Sequence, residues 1–276
     1  MSKFSYMLAP LEDFTGPSFR TLCHKYGADL TFTEMTRTGA LLRENKSTWQ
    51  KILFDDDTPT QIQLLVNNER VLGEFLKTFE PNKGFKGFNF NFGCPSPKMI
   101  QVGLGCAMIK RVNKSNTLVK TVKDHGYPCS IKMRLGMNKF EKERKVYLNM
   151  INNVDADFFV VHARHGGQSY SEKPDWEVFS ECVNTGRDII ANGDIKTKDD
   201  VDKVKEYGVK GVMIGRQAII NPAIFLELKH GQVLDYDEIK KDFIEISEKY
   251  NAQSKHVDNV LKFLSKQSMK SEIKER

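Results

Sequence analysis

Nowhere in these 276 residues does an apolar run approach the ~18 residues that a membrane-spanning helix needs. The start, Met-Ser-Lys-Phe-Ser-Tyr-Met-Leu-Ala-Pro, lacks the charged opening and long apolar middle of a secretory signal. Cysteine is sparse: the five (Cys23, Cys94, Cys106, Cys129, Cys182) are odd in number and form no Cys-x-x-Cys. That pattern argues against a disulfide framework or a zinc ribbon and fits a reducing compartment. No Gly-x-Gly-x-x-Gly occurs, so nothing points to a dinucleotide held on a doubly wound sheet. A soluble, cytoplasmic protein without membrane association is expected.

Charge is plentiful and unevenly placed. The chain carries 42 Lys and Arg against 36 Asp and Glu, a net +6. Residues 98–145 alone hold twelve basic side chains and three acids, Asp124, Glu141 and Glu143. A local surplus larger than that of the whole chain reads either as solvated helix faces or as the footprint of a polyanion. Hydrophobic residues make up 39%, enough to bury a core and to exclude wholesale disorder.

Strand-like runs recur at 6–9, 30–33, 60–65, 87–91, 130–133, 157–162, 188–191 and 211–214. Their spacing is about 30 residues, the rhythm of repeated βα units. Amphipathic segments fill the gaps at 17–26, 69–79, 115–125 and 198–207. Eight such units predict an α/β chain, a (β/α)8 TIM barrel spanning residues 1–230. Beyond Gly231 the pattern changes to two helices, at 235–250 and 258–268, so residues 231–276 read as a short C-terminal helical appendage.

The stretch Asn89-Phe90-Asn91-Phe92-Gly93-Cys94-Pro95-Ser96-Pro97 carries the most chemistry. Phenylalanines alternate with amides and the run breaks at Gly-Cys-Pro, which sets a thiol at a strand's carboxyl end in a proline-stiffened turn. Barrels collect their chemistry at those ends. The other ends are Ala9-Pro10, Glu34-Met35, Gln63, Lys132 with Arg134, His162 with Arg164, Asn192-Gly193-Asp194 and Gly215-Arg216. Polar groups at nearly every end are costly to bury unless they line a common mouth.

The glycines after the seventh and eighth strands, with Arg216, have the makings of a phosphate cradle. Lys132 is placed either to offset negative charge on a bound ring or to pair with Glu34. Gln63 is positioned for a heterocycle edge. His162 and His165 have a His-x-x-His spacing, but no acidic or thiol ligand lies close by, so no metal is expected.

Taken in order, these residues resemble the tRNA-dihydrouridine synthases, a family of FMN-dependent enzymes. The resemblance covers about residues 5–228: Leu8-Ala9-Pro10, Ser18-Phe19-Arg20, Phe32-Thr33-Glu34-Met35, Asn91-x-Gly93-Cys94-Pro95 followed by Gly105, Lys132-Met133-Arg134-Leu135-Gly136, Val161-His162-Ala163-Arg164, Gln168-x-Tyr170, Asp175-Trp176, Ala191-Asn192-Gly193-Asp194 and Gly215-Arg216. It implies reduction of the C5–C6 double bond of selected uridines in tRNA, with NADPH as the electron donor. FMN would be held by Ala9, Pro10, Leu11, Gln63, Lys132, His162, Asn192, Gly193, Asp194, Gly215 and Arg216. Hydride would pass from flavin N5 to uracil C6 and a proton from Cys94 to C5, while Asn91, Arg134 and Arg164 would face the substrate. The appendage would bind RNA.

This chain departs from the family's pattern at Asn89, where Asp is usual, at Glu12-Asp13, in place of a small residue and Gly, and at His165, in place of Thr. Three other readings share part of the pattern: a uridine reductase acting on ribosomal RNA, a flavin barrel acting on a free pyrimidine, and a non-catalytic RNA-binding barrel.

Overall fold

The structure is a computed structural model that describes residues 3–54 and 56–274. Eight parallel strands form the barrel: β1 (Ser5–Leu8), β2 (Thr31–Phe32), β3 (Thr60–Leu65), β4 (Phe85–Phe92), β5 (Cys129–Met133), β6 (Phe159–His162), β7 (Ile189–Asn192) and β8 (Gly211–Ile214). Each pairs with the next in sequence from β2 to β8, and β8 returns to pair with β1. The β1–β2 seam is a single bridge, Met7 to Leu30, with Leu8 N–H donating to Leu30 O at 3.0 Å. Asp29 clasps it: its carboxylate accepts from Tyr6 N–H at 2.8 Å and its own N–H donates back to Tyr6 O. A two-residue strand, Thr36–Arg37, also pairs with β3 and was not foreseen from the sequence.

The interior follows from the two-residue period of a strand. Ile62 and Leu64 of β3, Phe88, Phe90 and Phe92 of β4, and Ile131 and Met133 of β5 join the helix-facing core. Phe88 packs edge-on against Phe75 and Phe79 at 6.0 and 5.0 Å. The alternate residues on these strands, Gln61, Gln63, Asn89, Asn91, Ser130 and Lys132, therefore point into the barrel. The opposite half of the interior is apolar, a separate cluster of Met7, Phe32, Phe158, Val160, Ile190 and Met213. The barrel thus has a dry side and a hydrogen-bonding side.

The expected helices appear at Pro17–Lys25, Glu69–Thr78, Val112–Asp124 and Lys198–Glu206. Local chemistry starts two of them: Asn68 accepts from Val71 N–H, and Thr197 with Asp200 forms a capping box. The appendage folds into Tyr236–Lys249 and Ser254–Lys274. Its second helix starts four residues before the expected 258, because Val257 is the one apolar residue among 254–257 and gives no periodic signal.

Both appendage helices are fastened to the front of the barrel. Tyr250 donates to Asp56 and shares a hydrogen bond with Thr21. Lys255 pairs with Asp13 at 2.6 Å, Asn259 donates to Asp13 O at 3.1 Å, and His256 Nε2 donates to Glu34 at 2.8 Å. Among the described residues, no helix is long and apolar enough to cross a membrane.

Gly211 opens the strand that closes the barrel, and a Cβ there would stand 2.4 Å from Ser5 O. Gly211→Ala is expected to lower stability by about 2 kcal/mol or more, because backbone must move at the β1–β8 seam. A thermal melt beside wild type measures it.

Candidate active site

The thiol-bearing turn hangs from a chain of hydrogen bonds that crosses three strands in one direction. Cys94 N–H and Gly93 N–H donate to Asn91 Oδ1 at 2.9 and 3.1 Å. Asn91 donates to Gln63 Oε1 at 2.9 Å, and Gln63 donates to Asn89 Oδ1 at 2.7 Å. Asn89 donates to Ser130 Oγ at 2.7 Å, Ser130 donates to Gln61, and Gln61 ends the series on Lys86 O at 3.1 Å. Every buried member both accepts and donates, as burial of polar groups requires. Asn89 fits this role because a neutral amide passes the bond onward, whereas an ionised carboxylate only accepts.

Cys94 is the one cysteine of the five that is not buried. Gly105, at φ +60, lets the chain pass so close that a Cβ would sit 2.5 Å from Cys94 O. Cys106 N–H then bonds Cys94 O at 3.0 Å, and the Cys106 thiol donates to Gly93 O at 3.1 Å. Burial pushes the Cys106 thiol up to about 12, so it stays protonated and serves the turn. The half-buried Cys94 thiol is left as the accessible one.

A cavity of about 350 Å³ lies at the carboxyl ends of β1, β5, β6, β7 and β8; Cys94 does not line it, and Lys132, paired in register with Asn91, is the nearest lining residue on the adjoining strand. Ten of the eleven residues expected to hold a cofactor line it: Ala9, Pro10, Leu11, Lys132, His162, Asn192, Gly193, Asp194, Gly215 and Arg216. The eleventh, Gln63, does not line it, because both ends of its amide are engaged with Asn89 and Asn91. The amides of Gly193, Asp194 and Gly215 donate to nothing among the described residues. Together with the half-exposed Arg216 guanidinium they form an anion cradle.

Charge around the cavity is arranged by Asp194, whose carboxylate pairs with both Arg164 and Arg216. Burial pushes the Asp194 carboxyl up, but the Arg164 hydrogen bond and both positive charges outweigh it and hold it below the usual carboxylate range. Arg164 is fully buried: it donates to Glu172 O at 2.9 Å and to His162 Nε2 at 3.2 Å. A guanidinium only donates, so His162 Nε2 must carry a lone pair and the ring is neutral. Burial, reinforced by Lys132 and three arginines, pulls the His162 imidazolium down to about 2. Lys132 has no ion-pair partner among the described residues; burial and the neighbouring Arg134 pull it down to about 8.

The structure departs from the sequence-based expectations at several residues. Lys132 does not pair with Glu34, which is held instead by Lys51 at 3.0 Å and by His256. Arg164 and Asn91, expected to face substrate, are engaged internally, the one clamping Asp194 and His162, the other organising the Cys94 turn. Arg134 is also largely buried, donates to His165 O at 2.9 Å and lies beside the Tyr170 ring at 5.6 Å. His165 Nδ1 accepts from Gly167 N–H at 3.1 Å.

Tyr170 stacks on His162 at the cavity's edge, and the Arg216 guanidinium lies 4.3 Å over its ring. Two contributors were not singled out from the sequence: Ser130 and Gln61 complete the hydrogen-bond chain. An isolated Ser or Gln gives no such signal until strand register places it opposite Asn89.

Comparison with known proteins agrees with this geometry. The model of the dihydrouridine synthase family matches residues 7–275. A probable tRNA-dihydrouridine synthase of Aquifex aeolicus is 29% identical over 249 residues, covering 88% of this chain and 78% of that protein. One of Helicobacter pylori is 31% identical over 248 residues, covering 86% and 74%. A Xenopus tropicalis protein named as tRNA-dihydrouridine(47) synthase [NAD(P)(+)]-like is 27% identical and covers 86% of this chain and 38% of itself. The solved structure of TcOYE with pHBA superposes with a TM-score of 0.56 at 9% identity, over 83% of this chain and 90% of that one, which supports the barrel fold alone.

Two outcomes are expected from these arrangements. Asn89→Leu strands the Gln63 donor and leaves Ser130 without its incoming bond, so stability should fall by about 2–4 kcal/mol in denaturant unfolding. His162 resists protonation when folded but not when unfolded, so acid should erode stability. Below pH ~6.5 wild type should lose up to about 1.4 kcal/mol per pH unit more than His162→Gln, as parallel melts at pH 7, 6 and 5 would register.

Proposed function

The chain belongs to the dihydrouridine synthase family, and from that premise we propose that it reduces selected uridines of tRNA to 5,6-dihydrouridine. It acts as a flavin-dependent oxidoreductase fed by a nicotinamide, with FMN as the flavin and NADPH as the donor, in the cytoplasm. The observation that carries this reading is the pairing of one half-buried thiol, fixed on a directed hydrogen-bond chain at the end of β4, with an anion cradle at the ends of β7 and β8.

The residues present fit a flavin mononucleotide. Free amides at Gly193, Asp194 and Gly215, with Arg216, suit its phosphate, and the Ala9–Leu11 wall suits the edge of an apolar ring system. Lys132 and the neutral His162 face the same space and supply a cation and a ring contact. Bound there, the reduced flavin supplies the hydride that uracil C6 accepts.

The protein's part is positioning and proton supply. Cys94 delivers the proton that C5 needs, acting as general acid. Lys132 is mostly protonated at pH 7, since its value is about 8, and offsets the negative charge that develops toward O4. Arg134 adds to that field from beside Tyr170. Asn91 and Arg164 act one step back: Asn91 sets the height of the thiol, and Arg164 holds Asp194 and the His162 tautomer. The target base must leave its stack to reach this site, and the basic segment 98–145 borders the opening.

Cys94→Ala should lower dihydrouridine formation by about 100-fold or more while leaving flavin absorbance intact. Retained turnover would remove Cys94 from its role. Deletion of the gene, followed by mapping of dihydrouridine across total RNA, should remove the base from defined tRNA positions; unchanged tRNA would overturn the assignment.

A further inference from the structure

The appendage at 232–276 carries nine basic and nine acidic side chains, so it offers a polyanion no net attraction. Several of these charges already face inward, with Lys255 on Asp13 and Asp242 on Lys25. The barrel rim between β5 and the next helix differs. There the short helix Lys139–Glu143 presents Phe140 at 62% exposure, the most exposed aromatic side chain among the described large hydrophobics. The Arg144 guanidinium lies 5.3 Å from its ring. Lys139 is 80% exposed and holds Glu143 only at 3.8 Å. Lys110 reaches the same helix through Glu141 at 3.2 Å, and Arg111 follows it in sequence.

This helix adjoins the catalytic rim rather than a remote flank. Gly166 N–H donates to Gly136 O at 2.8 Å, and Arg134, two residues earlier, donates to His165 O. Glu141 fixes the turn by accepting from Met137 N–H at 2.8 Å. Its neighbours Lys142 and Lys145 are consumed by Asp175 and Glu181. Lys139, Arg144 and Arg111 are left free for an outside anion: Lys139 has only its long contact with Glu143, and the two arginines have no ionic partner among the described residues. An exposed aromatic ring with the Arg144 guanidinium beside it, on a helix that also carries Lys139, suits one ligand chemistry, a nucleic-acid strand with an unpaired base.

We propose that the substrate RNA is gripped on this barrel rim, with Phe140 stacking an unpaired base and Lys139, Arg144 and Arg111 holding the flanking phosphates. The appendage contributes shape but not the electrostatic grip. The inference rests on the RNA-modifying function proposed above and deepens it.

The test is a salt series of anisotropy titrations of the flavin-loaded full chain against an unmodified tRNA transcript. Lys139→Glu with Arg144→Glu should weaken binding at least about ten-fold and reduce the salt slope by about two. Phe140→Ala should weaken it roughly ten-fold with little change in slope. Flavin absorbance should be unchanged in each, which shows the fold intact. Lys240→Glu with Lys241→Glu on the appendage should change binding by less than about two-fold. Rim variants that bind like wild type, or an appendage variant that loses as much, would overturn the proposal. Rim-dependent tRNA binding by a chain that forms no dihydrouridine would uphold the surface and overturn the reaction.

Discussion

The catalytic geometry depends on one chain of buried hydrogen bonds. From Cys94 N–H to Lys86 O, five side chains on three strands accept from above and donate below. Aligned dipoles in a low-dielectric interior strengthen one another, and a missing member strands two groups rather than one. The chain can exist only because β3, β4 and β5 alternate apolar residues toward the helices with polar residues toward the axis. The Cys94 turn is therefore tied to the barrel interior by strand register, and to the Gly105–Cys106 segment by its own backbone.

A second arrangement controls charge. Asp194 joins Arg164 to Arg216, and Arg164 in turn commits the His162 tautomer. A fully buried guanidinium costs several kcal/mol unless its donors are used, so Asp194 and the Glu172 carbonyl are required by the fold. The same carboxylate stands at the cradle for a phosphate. Arg216 keeps one side exposed, so a ligand anion can share it without unseating Arg164. The buried and the half-exposed positions are thus divided between the two arginines.

Much of this was legible in the primary structure. The alternation Phe-Asn-Phe-Asn-Phe identified β4, its inward face and the break at Cys94, because a strand's period is two and its end is marked by Gly and Pro. Ten of the eleven residues expected to hold a cofactor line one cavity, since strand ends converge by topology. Gln63, Asn91 and Arg164 show the limit. Their residue types suit ligand contact, but whether a polar group faces a cavity or a partner depends on register between strands far apart in sequence. The Lys132–Glu34 pairing failed for the same reason: the competitors, Lys51 and His256, come from a helix and an appendage that carry no local sign of pointing there.

The departures at Glu12 and Asp13 acquire a physical meaning once the appendage is in place. Glu12 pairs with Lys51, and Asp13, at φ +64, receives Lys255 and Asn259. Burial would raise the Glu34 carboxyl, but hydrogen bonds from His256 and Lys51 outweigh that and keep it below its usual range. Three carboxylates therefore sit on the β1–β2 side of the mouth, Glu12 and Glu34 sharing Lys51 and Asp13 taking Lys255. An RNA strand approaching that side meets carboxylates and already paired lysines, and a steric wall. Across the mouth, the 98–145 segment retains uncompensated cations, and polyanion attraction scales with just such charges. The short appendage thus acts on direction: by covering one side of the barrel, it leaves the side bearing Cys94, Phe140 and Arg144 as the approach that electrostatics favours.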